Sequence, residues 1–283
     1  MIHRLVLACC ISGSALLSAG AARAQVQEPL SKPTAPQVQE PPTKRATDCP
    51  GLAEAQTKLE SCVNRARDWA NLARYREANE KILPPAKDEQ RVVFMGDSIT
   101  DMWVEPASGG FFPGKPYIDR GISGQTTPQM LVRMRPDVIA LRPRVVVILA
   151  GTNDLAGNTG PMTLGETEGN LASMAELAGA NGIRVVLASV LPVSNYGHDG
   201  NGNPVDMRIN RPPETILQLN SWIKNYAVDK KHVYLDYFSA MVDEQGLLRK
   251  ELSGDGLHPN AAGYALMSPL AEQAILAALK KGK

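Results

Sequence analysis

Downstream of Lys87, short uninterrupted apolar runs alternate with longer stretches of helical periodicity. The runs stand at 91–95, 144–150, 183–190 and 232–235, with a shorter one near 117–119. They are rich in Val, Ile and Leu and lack polar alternation, as expected of strands buried on both faces. Helical stretches fall between them, near 126–140, 163–180, 213–229 and 260–280. Strand–helix alternation predicts an α/β domain, a parallel sheet with helices on both sides. In such sheets ligands bind beyond the carboxyl ends of the strands. No internal repeat and no second domain is visible.

Upstream the pattern changes. Leu59, Cys62, Val63, Ala66, Trp69, Ala70 and Ala73 recur at three- and four-residue spacing, predicting a helix over about 52–82 that packs on the domain's flank. Pro84-Pro85 stops it. Residues 25–48 carry five prolines among Gln, Thr and Lys, too few apolar groups to order themselves, and read as a disordered linker. Residues 1–24 read as a secretory signal. His3 and Arg4 precede an apolar run from Leu5 to Leu17, and Ala22-Arg23-Ala24 fits a cleavage site before Gln25. The run is shorter than the roughly 20 apolar residues of a membrane span, so export to the periplasm or medium is expected rather than anchoring.

Composition narrows the partners. The 283 residues hold 30 basic and 29 acidic side chains, a formal net charge of +1, with the basic residues scattered. No basic face for nucleic acid is expected. Cysteine usage agrees with export: beyond the leader only Cys49 and Cys62 remain, a pair that either forms one disulfide or stays reduced. A continuous helix between them would hold them too far apart, about 18 Å against the 7 Å or so that a bridge allows. No His/Cys cluster offers a metal site, and no cofactor is called for. Oligomeric state leaves no mark on the sequence.

The candidate chemistry lies in four short motifs, each after a strand or before the last helix. Gly96-Asp97-Ser98-Ile99-Thr100 follows the first strand and puts Ser98 at a helix N-terminus, where amides favour negative charge; taken alone, Ser98 reads more readily as a helix cap. Gly121-Ile122-Ser123-Gly124-Gln125-Thr126-Thr127 follows the second; glycine at 124 lets a backbone N–H approach an oxyanion, and the segment lacks the phosphate-loop lysine and the dinucleotide glycine pattern. Gly151-Thr152-Asn153-Asp154 follows the strongest strand and offers the Asn153 amide as a donor, or an Asx turn. In Asp255-Gly256-Leu257-His258-Pro259-Asn260 a three-residue offset brings a carboxylate to an imidazole. Asp97 and Asp154 read as turn and supporting hydrogen-bonding groups or as substrate-pocket residues, and Trp103 as a wall of the acyl pocket or a core side chain.

In their order and residue types these blocks resemble the SGNH hydrolases, or GDSL esterases. The likeness spans about 90–280, with Ser98, Gly124, Asn153 and His258 matching the family's four named residues and Asp255 its Asp-x-x-His. Through Trp103 and Gly121–Thr127 the chain is further similar to exported bacterial lysophospholipase-like and platelet-activating-factor acetylhydrolase-like members. The resemblance implies a three-layer, flavodoxin-like sheet of about five strands. It also implies a serine esterase in which Ser98 attacks, His258 is base then acid, Asp255 orients His258, and the Ser98 and Gly124 amides with Asn153 hold the oxyanion. Expected partners are small-molecule or glycan acyl esters, with short acyl groups favoured because no long apolar lid is evident. Lysophospholipid hydrolysis, acyl transfer and a carbohydrate-binding role on the same fold are the alternatives. Few aromatic residues speak against a broad sugar-stacking platform. An insertion at 194–213 departs from the family pattern, reading either as polar substrate contacts or as a mobile lid.

Overall fold

The computed structural model describes residues 51–198 and 201–280. The leader, the proline-rich segment and Cys49, and with them the cleavage site and any Cys49–Cys62 bridge, lie outside the described residues.

In chain order the elements are α1 (Leu52–Arg67), α2 (Arg76–Glu80), β1 (Val92–Gly96), α3 (Ser98–Asp101), β2 (Tyr117–Gly121), α4 (Thr127–Asp137), β3 (Val145–Leu149), α5 (Thr152–Leu155), α6 (Leu164–Ala180), β4 (Arg184–Ala188), β5 (Gly197–His198), β6 (Pro204–Val205), α7 (Pro213–Asp229), β7 (Val233–Leu235), α8 (Phe238–Met241) and α9 (Ala261–Lys280). Five strands form one parallel sheet in the order β2-β1-β3-β4-β7. That is the flavodoxin-like order, and its chain reversal falls between β1 and β3. β5 and β6 make a separate antiparallel ribbon.

Successive strand residues point to opposite faces, which divides the core in two. Val93, Met95, Val146, Ile148, Val185 and Leu187 pack under α4, α6 and α7, with Met130, Met134, Leu171, Met174, Leu219 and Ile223. Val92, Phe94, Val145, Val147, Leu149 and Val186 face the other way, against Tyr264, Met267, Ala271 and Ile275 of α9. β1 and β3 are buried along their whole length, so both faces must be apolar. Each large side chain so buried contributes about 1.5–3 kcal/mol. Thr163 opens α6 with a capping box: its N–H donates to Glu166 Oε2 at 2.7 Å, and its hydroxyl accepts from the Glu166 N–H at 3.3 Å.

The flanking helix differs from expectation. It ends at Arg67, because the Asp68 carboxylate accepts the N–H groups of Leu72 (2.7 Å) and Ala73 (2.9 Å) and turns the chain, with Asn71 at φ 53°. Among the described side chains of α1 none is buried: Leu59 is 64% and Val63 37% exposed. Only the segment after it joins the body, where Ala70 is buried.

Candidate active site

Three of the four motifs leave the carboxyl ends of adjacent strands: Ser98 after β1, Gly124 after β2 and Asn153 after β3. The fourth, Asp255–Asn260, enters α9 from the same edge, where Ser98 and His258 meet. Ser98 is the first residue of α3, and Asp97 caps that helix by accepting the Ile99 N–H at 3.0 Å. Among the described residues the Ser98 and Gly124 backbone N–H groups make no hydrogen bond. Gly124 has φ +79°, a conformation that a side chain would strain, and its carbonyl accepts from Asn158 Nδ2 at 3.1 Å.

Ser98 Oγ lies 2.9 Å from His258 Nε2, and His258 Nδ1 lies 2.6 Å from Asp255 Oδ2. An ionised carboxylate only accepts, so Nδ1 carries the proton and Nε2 of the neutral ring is left to accept from the serine. Burial by itself would raise the Asp255 pKa. The His258 ring and the N–H groups of His258 and Leu257 outweigh it and hold the carboxyl well below the usual range. Asp255 is therefore anionic near neutral pH. The chain of contacts can pass a proton from the serine hydroxyl to the imidazole while the carboxylate stabilises the resulting cation.

Asn153 stands on α5, and its Nδ2 donates to the Gln125 carbonyl at 3.0 Å. A carboxamide nitrogen carries two protons, so a second remains for developing negative charge. Three supports hold this arrangement that the sequence did not single out. Arg133, with no exposed side-chain surface, reaches Gln125 Oε1 (2.6 Å), the Gly96 carbonyl (2.9 Å) and the Arg120 carbonyl (2.8 Å), with Asp137 as counter-ion. Arg211 donates to the Thr152 carbonyl (3.1 Å) and hydroxyl (3.0 Å) and to Asn153 Oδ1 (3.4 Å). Asn158 is the third. A buried arginine on a helix or in an insertion has no local sequence signature, so only tertiary placement reveals the first two.

The insertion 194–213 braces the site. Ser194 N–H donates to the Gly256 carbonyl at 2.9 Å, Tyr196 OH donates to the Arg249 carbonyl at 3.1 Å, and Arg211 reaches the Asn153 turn. Gly197 packs so tightly that a Cβ there would stand 1.8 Å from the Asp255 carbonyl oxygen. The described part of this segment is thus tied to the catalytic-edge loops on both sides.

The three substrate-pocket candidates do not line a pocket. Trp103 is 1% exposed and packs among Phe94, Phe111, Phe112 and Tyr264, because its turn folds inward onto the α9 face. Asp97 is buried beneath α3; burial pushes its pKa up to about 6 against the pull of the Ile99 N–H. Asp154 is buried too, accepting the N–H and hydroxyl of Thr127 (3.0 and 2.5 Å) and so pinning α5 to the start of α4. All three are supporting groups. Among the described residues no group of three or more His, Cys, Asp or Glu side chains is placed to hold a metal ion, and no helix is long and apolar enough to cross a membrane.

A doubly wound sheet carrying a serine–histidine–carboxylate chain at its switch point is an arrangement suited to acyl-group chemistry on a serine. The sequence profile of the GDSL-like lipase/acylhydrolase family matches residues 94–266, and the chain belongs to that family. Among solved structures it is similar to a GDSL-like lipase from Bacteroides thetaiotaomicron VPI-5482, at 45% identity and TM-score 0.67, covering 74% of this chain and 98% of that one. A candidate acylhydrolase from Bacteroides fragilis NCTC 9343 is similar at 45% identity and TM-score 0.68, covering 75% and 99%. Esterase TesA of Pseudomonas aeruginosa is 28% identical over 145 residues, 51% of this chain and 62% of that esterase, so the match spans less than two thirds of its length.

Proposed function

We propose that this family member is an exported serine esterase that removes short acyl groups, of acetyl size, from small-molecule or glycan alcohols. The observation that carries the reading is the unbroken contact line from Ser98 Oγ through His258 to Asp255, 2.9 and 2.6 Å long. Ser98 Oγ attacks the ester carbonyl carbon as its proton moves to His258 Nε2. The carbonyl oxygen, now negative, takes hydrogen bonds from the Ser98 and Gly124 amides and the second Asn153 N–H. The tetrahedral centre collapses, the C–O bond to the alcohol breaks, and His258 returns its proton to the leaving oxygen. Water then adds to the acyl group on Ser98 with His258 again as base, and the carboxylic acid leaves.

Short acyl groups are favoured because the apolar side chains of the site motifs, Ile99, Ile122 and Leu257, are buried, and Trp103, a little beyond Ser98, is sealed inside. Export rests on the leader pattern, His3 and Arg4 before Leu5–Leu17 and Ala22-Arg23-Ala24.

The test is hydrolysis of p-nitrophenyl esters from acetate to palmitate by the mature chain and its Ser98→Ala variant. Turnover of acetate and butyrate that vanishes in the variant supports the reading. Equal rates in both proteins, or a preference for palmitate, overturn it. Recovery of a chain beginning at Gln25 from the culture medium or periplasm supports export, and a cytoplasmic full-length chain refutes it.

A further inference from the structure

From Ala53 on the chain forms one unit, and within it a cleft of about 1230 Å³ opens between α1 and the loop Ile122–Gln125. Its inner wall is the loop that carries the Gly124 amide, together with Gln129 and Asn158. Whatever fills the cleft therefore lies against the loop that would receive the reacting carbonyl. The volume exceeds the roughly 300–1,000 Å³ that encloses a drug-sized ligand.

By residue type the lining is mostly polar, with Ala73, Ile122 and one aromatic platform among it. Trp69 is 47% exposed, and its backbone is held at both this residue and the next. Its carbonyl accepts from Gln129 Nε2 at 2.6 Å, and the carbonyl of the next residue, Ala70, accepts from Gln125 Nε2 at 2.8 Å. The turn bearing the indole is thus stapled to the loop on which Gly124 stands. Around it Asn64, Asn71 and Asn158 present carboxamides, each able to donate and accept. An indole face combined with carboxamides matches a hydroxylated ring, whose C–H face stacks while its hydroxyls hydrogen-bond. A long acyl chain finds no continuous apolar wall here. A phosphate finds Arg67 beside Glu60 and Asp68, an acidic excess.

Resting on the esterase reading above, we infer that this cleft binds the alcohol part of the ester, and that this part is a neutral oligosaccharide stacked on Trp69. The sugar lies along α1 while its acyl group projects past Gly124 towards Ser98.

The test compares kcat/KM on O-acetylated xylotetraose and O-acetylated cellotetraose with that on p-nitrophenyl acetate, for the mature chain and for Trp69→Ala and Trp69→Phe. The expected result is a glycan-to-p-nitrophenyl ratio at least tenfold lower in Trp69→Ala and largely restored in Trp69→Phe, through KM rather than kcat. A ratio unchanged within twofold overturns the subsite, as does a loss in Trp69→Ala confined to long-chain esters. Binding of the unacetylated tetrasaccharides to Ser98→Ala, followed by titration calorimetry, separates the two readings. If the wild type hydrolyses nothing, the esterase reading falls. The subsite then stands if Ser98→Ala binds a tetrasaccharide and Trp69→Ala/Ser98→Ala does not, and falls if neither binds.

Discussion

Arg211 is the residue whose replacement probes the oxyanion side of the site most directly without touching a reacting atom. It is 7% exposed and spends its donors on Thr152 and on Asn153 Oδ1. With the carbonyl oxygen of Asn153 held by a cation, the amide nitrogen has to face Gln125 and the oxyanion position. Arg211→Met keeps the length and apolar bulk and removes the charge and the donors. Hydrogen bonds from charged groups contribute about 1.5–3 kcal/mol, and at 3.4 Å the Asn153 contact belongs at or below the low end of that range. A loss of about 1–2 kcal/mol in the transition state lowers kcat roughly 5- to 30-fold, below the roughly 10²–10³ ceiling set by complete loss of one oxyanion donor. KM for p-nitrophenyl acetate should move little, because the orienting contact is used as charge develops. Steady-state kinetics on Arg211→Met, Asn153→Ala and the double variant form the assay. If Arg211 acts through Asn153, its replacement in the Asn153→Ala background changes kcat by no more than about twofold. Full additivity, or a folded single variant with kcat within about twofold of wild type, refutes the reasoning.

Asn153→Ala alone should lower kcat by about 10²–10³, read on p-nitrophenyl acetate; a near-normal rate removes it from the oxyanion role. Gly197→Ala must push the backbone off the Asp255 carbonyl, 1.8 Å from the new Cβ, so both kcat and thermal stability should drop, the latter by about 2 kcal/mol or more; an unshifted Tm counts against the packing described. Burial pushes Asp119 up to about 7, so the folded protein keeps a proton there that the unfolded chain has released. That contribution to stability is present at low pH and is lost as pH rises from about 4 through about 7. Asp119→Asn retains the acceptor for the Gly121 N–H (2.8 Å) and should flatten the fall, by an amount on the order of 2–4 kcal/mol between about pH 4.5 and about pH 8. Urea midpoints at the two pH values decide it, and an unchanged slope rejects the assignment.

The sheet was readable because strands buried on both faces leave runs such as Val145–Leu149 that nothing else mimics at that length. Three of the motifs were readable because each follows such a run and the fourth because it precedes the last helix, and the geometry joins Ser98, His258 and Asp255 in one contact line. What stayed hidden depends on tertiary placement. Asp97 lies in a motif and Trp103 just after it, yet both are buried, and no spacing rule distinguishes a wall of a pocket from a wall of the core. Arg133 and Arg211 carry no local signature, and their part appears only once the carbonyls they serve are brought to them. The flanking helix was overextended because Trp69, Ala70 and Ala73 keep helical spacing through a turn that Asp68 imposes by capping the chain against itself.

Asp255 and His258 share one short loop. Their mutual contact is closed by local bonds, the Leu257 and His258 amides to Asp255 Oδ1 and the Gly256 amide to Ser253 Oγ. Ser98 comes from 160 residues away along the chain. Of the two links in the relay, one is a property of a hexapeptide and survives wherever that loop survives; the other measures whether α9 is seated on the sheet. Partial loosening of the carboxyl-terminal helix should therefore silence the enzyme while its acid–base couple remains assembled. Re-seating that helix should restore activity in one step, with a single long-range distance acting as the gauge of foldedness.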